Sequence, residues 1–401
     1  MSPGKLKPID PFFEKIADGQ WNACVGIQGN EENYVDGYIE AALELASAVL
    51  DKRLVRSRDT LAMPILYNGR HALELSLKYT INRLYMIGAV ANRHIPNHDI
   101  LSHWIHLHGA VVGDAALRGI VDELEPYVRS LAKIDDDGQE LRYAANQDGK
   151  KSLDRIAVVN LPHIRRSLEA MGDILSRLKY RVLDLAEEHE TEAHTKECSR
   201  ADLQTIANMI GEHATWSEES FNDKKAAVQA KFGLGSRKFS DALTKIRGSR
   251  PLATLVGLET SLTHLSDEKA IYALTRWAEA NPISTAESDG LGTNLFERDW
   301  EQVREHRRVT QALVENIIAN LSDEDVADLA TLFYIGRDRV FGEHYDAKLA
   351  GTIAEHKLAK SRWDGVYHIM TKSSLLENVI SGAKAAGRPS LAAKLQEIRP
   401  E

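Results

Sequence analysis

Apolar residues recur at steps of three and four through most of this chain, and sustained alternation with period two is lacking, so the pattern predicts a mostly α, helical multi-domain protein. The first clear stripe lies in 35–56, where Ile39, Ala42, Leu43, Leu45, Ala46 and Val49 share a face. A second, from about 70 to 89, aligns Leu73, Leu77, Ile81, Leu84 and Ile87; Pro96-Asn97 then breaks the chain before a third helix opens near Asp99. After residue 130 the pattern changes. Asp135-Asp136-Asp137-Gly138 is turn chemistry, Leu141-Arg142-Tyr143-Ala144 reads as extended, and Asn146-Gln147-Asp148-Gly149 is a hairpin-like turn ahead of Ile156-Ala157-Val158-Val159. One small β-hairpin inserted in the N-terminal helical domain is therefore expected. Asn160, with Pro162 just inside, caps a long helix to about residue 188.

The acidic stretch 187–194 carries no cap and is the best linker candidate; its spacing, His189-Glu190 then His194, is one residue too long for the two-histidine helical zinc motif. Serines at 199, 217 and 236 announce three short helices, Asp202–Ile210, Phe221–Phe232 and Phe239–Ile246. From about 256 the chain is helical again, interrupted by a Gly, Ser and Thr loop at Asn281–Asn294 that reads as a mobile or binding loop. Leu-Ser-Asp-Glu occurs at 265–268 and 321–324, each a helix start with serine capping and acids at the positive end of the dipole. Three domains are expected: 1–190, helical with the hairpin; 196–255, a helix-turn-helix-like segment; and 256–401, helical.

Composition narrows the classes. With 401 residues and 43% hydrophobic content the chain can bury a large core, and a net charge of -9 argues against a wholly basic nucleic-acid coater. Two cysteines, Cys24 and Cys198, make neither a disulfide framework nor a thiolate cage. No signal-like start and no long uncharged apolar run occurs, so a cytoplasmic protein without a membrane partner is expected. No phosphate-binding glycine loop, nucleophile elbow or dinucleotide fingerprint appears, and no cofactor is expected.

Five of the fifteen histidines cluster in 94–108. On the helix that opens at Asp99, Asp99, His103 and His106 fall on one face; they read as solvated residues, as acid, base and orienting groups, or, as an alternative, as ligands of a divalent metal. Leu101, Trp104, Ile105, His108 and Val112 form the opposite, core-like stripe. The preceding helix carries Arg70, His71, Glu74 and Lys78. Arg70–Glu74 and Glu74–Lys78 are i,i+4 pairs that read first as surface ion pairs; alternatively His71 and Arg70 line the same cleft as His98.

The order Arg70-His71-Ala72-Leu73-Glu74-Leu75-Ser76-Leu77-Lys78, then His98-Asp99-Ile100-Leu101, then Leu141-Arg142-Tyr143, resembles HEPN-type helical domains of bacterial defence and toxin systems over about 35–190. The resemblance implies a metal-independent ribonuclease acting as a homodimer, with a partner protein of a defence system. Arg93-His94-Ile95-Pro96-Asn97-His98 matches the family's Arg, polar residue, spacer, His motif. By that match His98 moves a proton at the ribose 2′-hydroxyl and Arg93 stabilises charge on the scissile phosphate, with His94 as the motif's polar residue and Arg70, His71, Glu74, Asp99 and His103 in support. Binding-only members of the family keep a second class open, a non-catalytic sensor or scaffold.

Between 224 and 250, eight basic residues (Lys224, Lys225, Lys231, Arg237, Lys238, Lys245, Arg247, Arg250) stand against one acid, Asp241. The punctuation Phe232-Gly233-Leu234-Gly235-Ser236 approximates a helix-turn-helix with a basic second helix. Nucleic-acid contact, with RNA favoured as partner, docking on the acidic 187–197 stretch, and an ordinary solvated face are the open readings.

Overall fold

The computed structural model describes residues 12, 19–145, 149–282, 300–358 and 361–398. Its helices are α1 (Glu31–Asp51), α2 (Arg58–Met86), α3 (Ile100–Gly109), α4 (Ala115–Glu123), α5 (Glu125–Ile134), α6 (Leu161–Glu190), α7 (Arg200–Ile210), α8 (Phe221–Phe232), α9 (Ser236–Gly248), α10 (Arg250–Thr254), α11 (Asp267–Ala280), α12 (Trp300–Asn320), α13 (Asp323–Asp338), α14 (Tyr345–Leu358), α15 (Arg362–Met370), α16 (Leu375–Ala385) and α17 (Pro389–Gln396). The mostly helical expectation holds. Contacts divide the chain into two units, Met1–Val111 with Ala116–Leu183, and Val112–Ala115 with Asp184–Glu401.

In the first unit α2 is the central helix: Ile65, Leu73, Leu77, Ile81 and Leu84 are buried, and α1 and α3 pack on it. Asp99 caps α3 by accepting from the Ser102 N–H, as expected. Its buried face differs from the expected stripe. Ile100, His103, Trp104 and Leu107 point inward, whereas Ile105 and His108 are exposed, His108 stacking on Trp104 and pairing with Asp122 at 3.3 Å. The Trp104 Nε1–H donates to the Val121 carbonyl, and that anchor rotates the helix so that the buried histidine is His103.

The expected hairpin is not formed among the described residues. Only one antiparallel bridge, Ala145 to Lys151, is present, and the turn residues Asn146, Gln147 and Asp148 lie outside the described residues. Leu141–Tyr143 is a turn because its backbone is satisfied locally. The Asp135 carboxylate accepts from the Glu140 and Leu141 N–H groups, and the Gln139 carbonyl from those of Arg142 and Tyr143, which leaves no ladder to extend.

The second unit holds two cores. Leu203, Ile206, Val228, Phe232, Phe239, Ala242 and Ile246 form one, and α11–α17 surround the other. The two cores fall either side of the boundary expected near residue 255, within one unit in which Arg200 and Ser249 both bind the Glu343 carboxylate, at 2.8 and 3.0 Å. The 187–194 stretch, just past the division of the units at 183/184, is helix and turn: α6 continues to Glu190, Thr191 turns the chain through bonds to Glu188 and Ala193, and His194 stacks on His189 at 3.9 Å. Ser266 and Ser322 cap α11 and α13 as their shared tetrad predicts. Where α13 crosses α16, Gly336 and Gly382 let the backbones touch; a Cβ on Gly382 would sit 1.8 Å from the Leu332 carbonyl oxygen. The Asn281–Asn294 loop lies outside the described residues apart from 281 and 282.

Candidate functional site

Helix α2 brings Arg70, Glu74 and Lys78 into line at steps of four, and it does so inside the first unit, where every charge needs a partner. Arg70 is 1% exposed. Its Nε donates to the Asp135 carbonyl at 2.7 Å, Nη1 to Glu74 Oε2 at 2.8 Å, and Nη2 to the carbonyls of His98 at 2.6 Å and Asp136 at 3.0 Å. The planar guanidinium thus ties α2 to two loops at once, those before α3 and after α5. Gly138 closes this arrangement: its φ is +78° and a Cβ there would lie 3.2 Å from Arg70 Nη1. The two i,i+4 pairs are therefore buried or half-buried rather than the surface ion pairs that spacing suggested.

Glu74 is the hub. Oε1 accepts from Lys78 Nζ at 2.6 Å and lies 2.8 Å from His98 Nδ1; Oε2 accepts from Arg70, with His71 Nδ1 at 3.9 Å. Burial alone would push this carboxyl up, but His71, Lys78 and His98 together outweigh it and hold the group well below the usual carboxylate range. An ionised Glu74 assigns the proton to the facing Nδ1 of His98 and leaves Nε2 as the basic nitrogen of a ring whose side chain is 57% exposed. An imidazole oriented by a buried carboxylate in this way can take and return protons.

Next to the hub, His71 sits edge-on to Tyr38 at 4.4 Å and parallel to Tyr67 at 5.6 Å, and the Arg142 guanidinium lies over the rings of Tyr67 and Tyr143. Burial raises the Tyr67 hydroxyl pKa.

Arg70 and His98 thus meet on the Glu74 carboxylate, with His71 at 3.9 Å from it. The other predicted residues are engaged elsewhere. The Arg93 guanidinium lies over the Tyr85 ring at 5.0 Å, with no bond to His98 among the described residues. His94 Nδ1 is 2.9 Å from the Ile95 carbonyl and its ring meets His103 edge-on. Asp99 is spent on the α3 cap. His103 Nε2 faces the Asn97 carbonyl at 3.2 Å, and burial lowers its pKa; His106 Nε2 faces the Asn92 carbonyl. Among the described residues no three His, Cys, Asp or Glu side chains come together as a metal-holding group, so Asp99, His103 and His106 do not form the alternative site. Sequence reasoning missed Asp135, Asp136 and Gly138 as site members. Their signal was present only as turn chemistry, since nothing in a turn motif says which side chain will dock on its carbonyls.

The basic segment is partly spent on its own unit. Lys224 donates to the Ile210 carbonyl, Lys238 pairs with Glu197 at 2.9 Å, Lys245 donates to the Glu192 carbonyl, and Arg250 reaches Asp346 and the Ser261 carbonyl. Lys225 and Lys231 lie over the rings of Phe239 and Phe232. Arg237 and Arg247 are exposed and make no hydrogen bond or ion pair among the described residues. Docking on 187–197 is thus what Lys238 and Lys245 do.

Among the described residues no helix is long and apolar enough to cross a membrane. No family model, curated protein or solved structure matches the chain.

Proposed function

We propose that the Glu74–His98 pair is a general acid–base site that cleaves RNA without a metal, in the manner the HEPN resemblance implies. The observation that carries this reading is the 2.8 Å contact from His98 Nδ1 to the buried Glu74 carboxylate, which orients a half-exposed ring and leaves Nε2 outside that contact. In the proposed step Nε2 takes the 2′-hydroxyl proton, the 2′-oxygen bonds to phosphorus as the P–O5′ bond breaks, and the leaving 5′-oxygen takes a proton from water, the hydroxide so formed being neutralised by the proton held on the His98 imidazolium. The products are a 2′,3′-cyclic phosphate and a 5′-hydroxyl. Lys78, on the same carboxylate oxygen as His98, supplies positive charge near the developing phosphorane. Proton transfer by such a group contributes roughly 10²–10⁴-fold in rate. The homodimer and the setting in a bacterial defence or toxin-like system belong to the same proposal and rest on the resemblance alone.

A second reading, a non-catalytic binding or scaffold module, is favoured by one observation: both Glu74 oxygens and the Arg70 guanidinium are already engaged by the protein itself, as in a purely structural clamp. Incubation of the protein with tRNA and total RNA, with and without EDTA, separates the two. Cleavage that survives EDTA and disappears in His98→Ala, purified in parallel, supports the enzyme. Binding without cleavage supports the module, and cleavage lost only in EDTA overturns the metal-free mechanism.

A further inference from the structure

The second unit opens with a three-helix arrangement that the RNA-cleaving reading does not use. Helices α8 and α9 both pack on α7, and α9 packs on α10. The α8–α9 connection is only Gly233-Leu234-Gly235. Gly233 adopts φ +66° and ends α8, while Leu234 is 5% exposed and pins the turn to the core. Helix α9 has two unlike faces. Phe239, Ala242 and Ile246 are buried at helical spacing, and Arg237, Ser240, Asp241, Thr244, Arg247 and Gly248 are all exposed on the rest of its surface.

The exposed face has a specific composition. Ser240, Asp241 and Thr244 occupy the middle, and the two short hydroxyl side chains let the helix backbone approach another surface closely. Arg237 and Arg247 lie near its two ends, and neither makes a hydrogen bond, ion pair or ring contact among the described residues. Beside them Lys238 and Lys245 are held by Glu197 and by the Glu192 carbonyl, and these two contacts fix α9 against the residues that follow α6. A rigid helix of 13 residues spans about 20 Å at 1.5 Å per residue. That length crosses a B-form major groove, about 12 Å wide, with an arginine near each phosphate wall and short hydroxyl side chains toward the base edges. The deep, narrow major groove of an RNA duplex does not admit a helix.

We infer that α9 is a docking element for the major groove of double-stranded DNA. This assignment is independent of the Glu74–His98 reading. Each of Arg237 and Arg247 neutralises one phosphate, so duplex affinity falls steeply with salt, and removing both contacts lowers the log–log slope by about 2.

The test is fluorescence anisotropy of the full chain with a random-sequence DNA duplex, the matching RNA duplex and the single-stranded RNA, between about 50 and 200 mM salt. The expected result is preferential, salt-sensitive binding of the DNA duplex. It weakens at least tenfold, with a flatter salt slope, in Arg237→Glu/Arg247→Glu and is unchanged in His98→Ala. Because those two arginines are exposed, the double variant keeps the wild-type melting temperature; RNA cleavage, if the proposed function holds, also persists in it. Equal or tighter binding of either RNA, no DNA binding, or an unchanged affinity in the double variant overturns the inference. Lys238→Glu/Lys245→Glu is the companion variant. It lowers the melting temperature because it breaks contacts to 192–197, so a loss of DNA binding seen only there, and not in the arginine variant, also counts against groove docking.

Discussion

Replacing Glu74 by Gln keeps the shape of the hub and removes its charge. The guanidinium of Arg70, 1% exposed, then faces a neutral amide, and Lys78 and His98 compete for one amide oxygen. Removing one partner of a buried ion pair costs about 3–5 kcal/mol. The Asp135 carboxylate, 3.6 Å from Arg70 Nε, still offsets part of the buried positive charge, which places the expected loss at the lower end, about 3 kcal/mol. For a unit of this size that corresponds to a fall of about 6–12 °C in Tm. His98→Gln removes a half-exposed partner and costs at most about 1 kcal/mol. Urea unfolding gives the totals, and amide hydrogen exchange along α2 reads the first unit separately from the second. A loss below about 1 kcal/mol for Glu74→Gln, or an equal loss for His98→Gln, refutes the view that Glu74 is the buried hub and His98 its exposed dependant.

Acidification tests the same site through linkage. Glu74 titrates lower when folded than its unfolded value of about 4.3, so its contribution is complete above that pH and is lost as pH falls below it; His103, lowered by burial from about 6.5, stabilises above that value and destabilises below it. Stability of α2 and α3 in hydrogen exchange is therefore expected to fall in two stages on going from neutral pH to pH 3, and His103→Leu removes the first stage only; a flat profile between pH 7 and 5 in the wild type contradicts it. In the second unit, Gly382→Ala forces a methyl into the α13–α16 contact and is expected to cost about 1–3 kcal/mol or more, whereas Gly365→Ala, whose Cβ meets nothing within 4 Å, is neutral or stabilising. Equal thermal stability of the two variants rejects the close backbone contact.

Much of this molecule was legible in the order of its residues. The helices and their starts follow from local physics: Asp99, Asn160, Ser199, Ser266 and Ser322 each accept a backbone N–H at a helix N-terminus, which needs only neighbours in sequence. The α8–α9 turn is equally local, since Gly233 supplies the left-handed residue where α8 must end. Helical spacing also put Arg70, Glu74 and Lys78 on one face of α2. What spacing did not reveal was that this face is interior. An i,i+4 ion pair reads the same on a surface helix as on a central one, and only the packing of α1 and α3 around α2 decides that Arg70 must spend its donors on the carbonyls of residues 98, 135 and 136. The hairpin failed for a related reason. By pattern residues 141–144 read as extended, yet Asp135 captures the neighbouring backbone N–H groups and turns the chain toward Arg70. His98 owes its place to the same long-range closure: the sequence carried the imidazole, and the fold supplied the buried carboxylate that orients it.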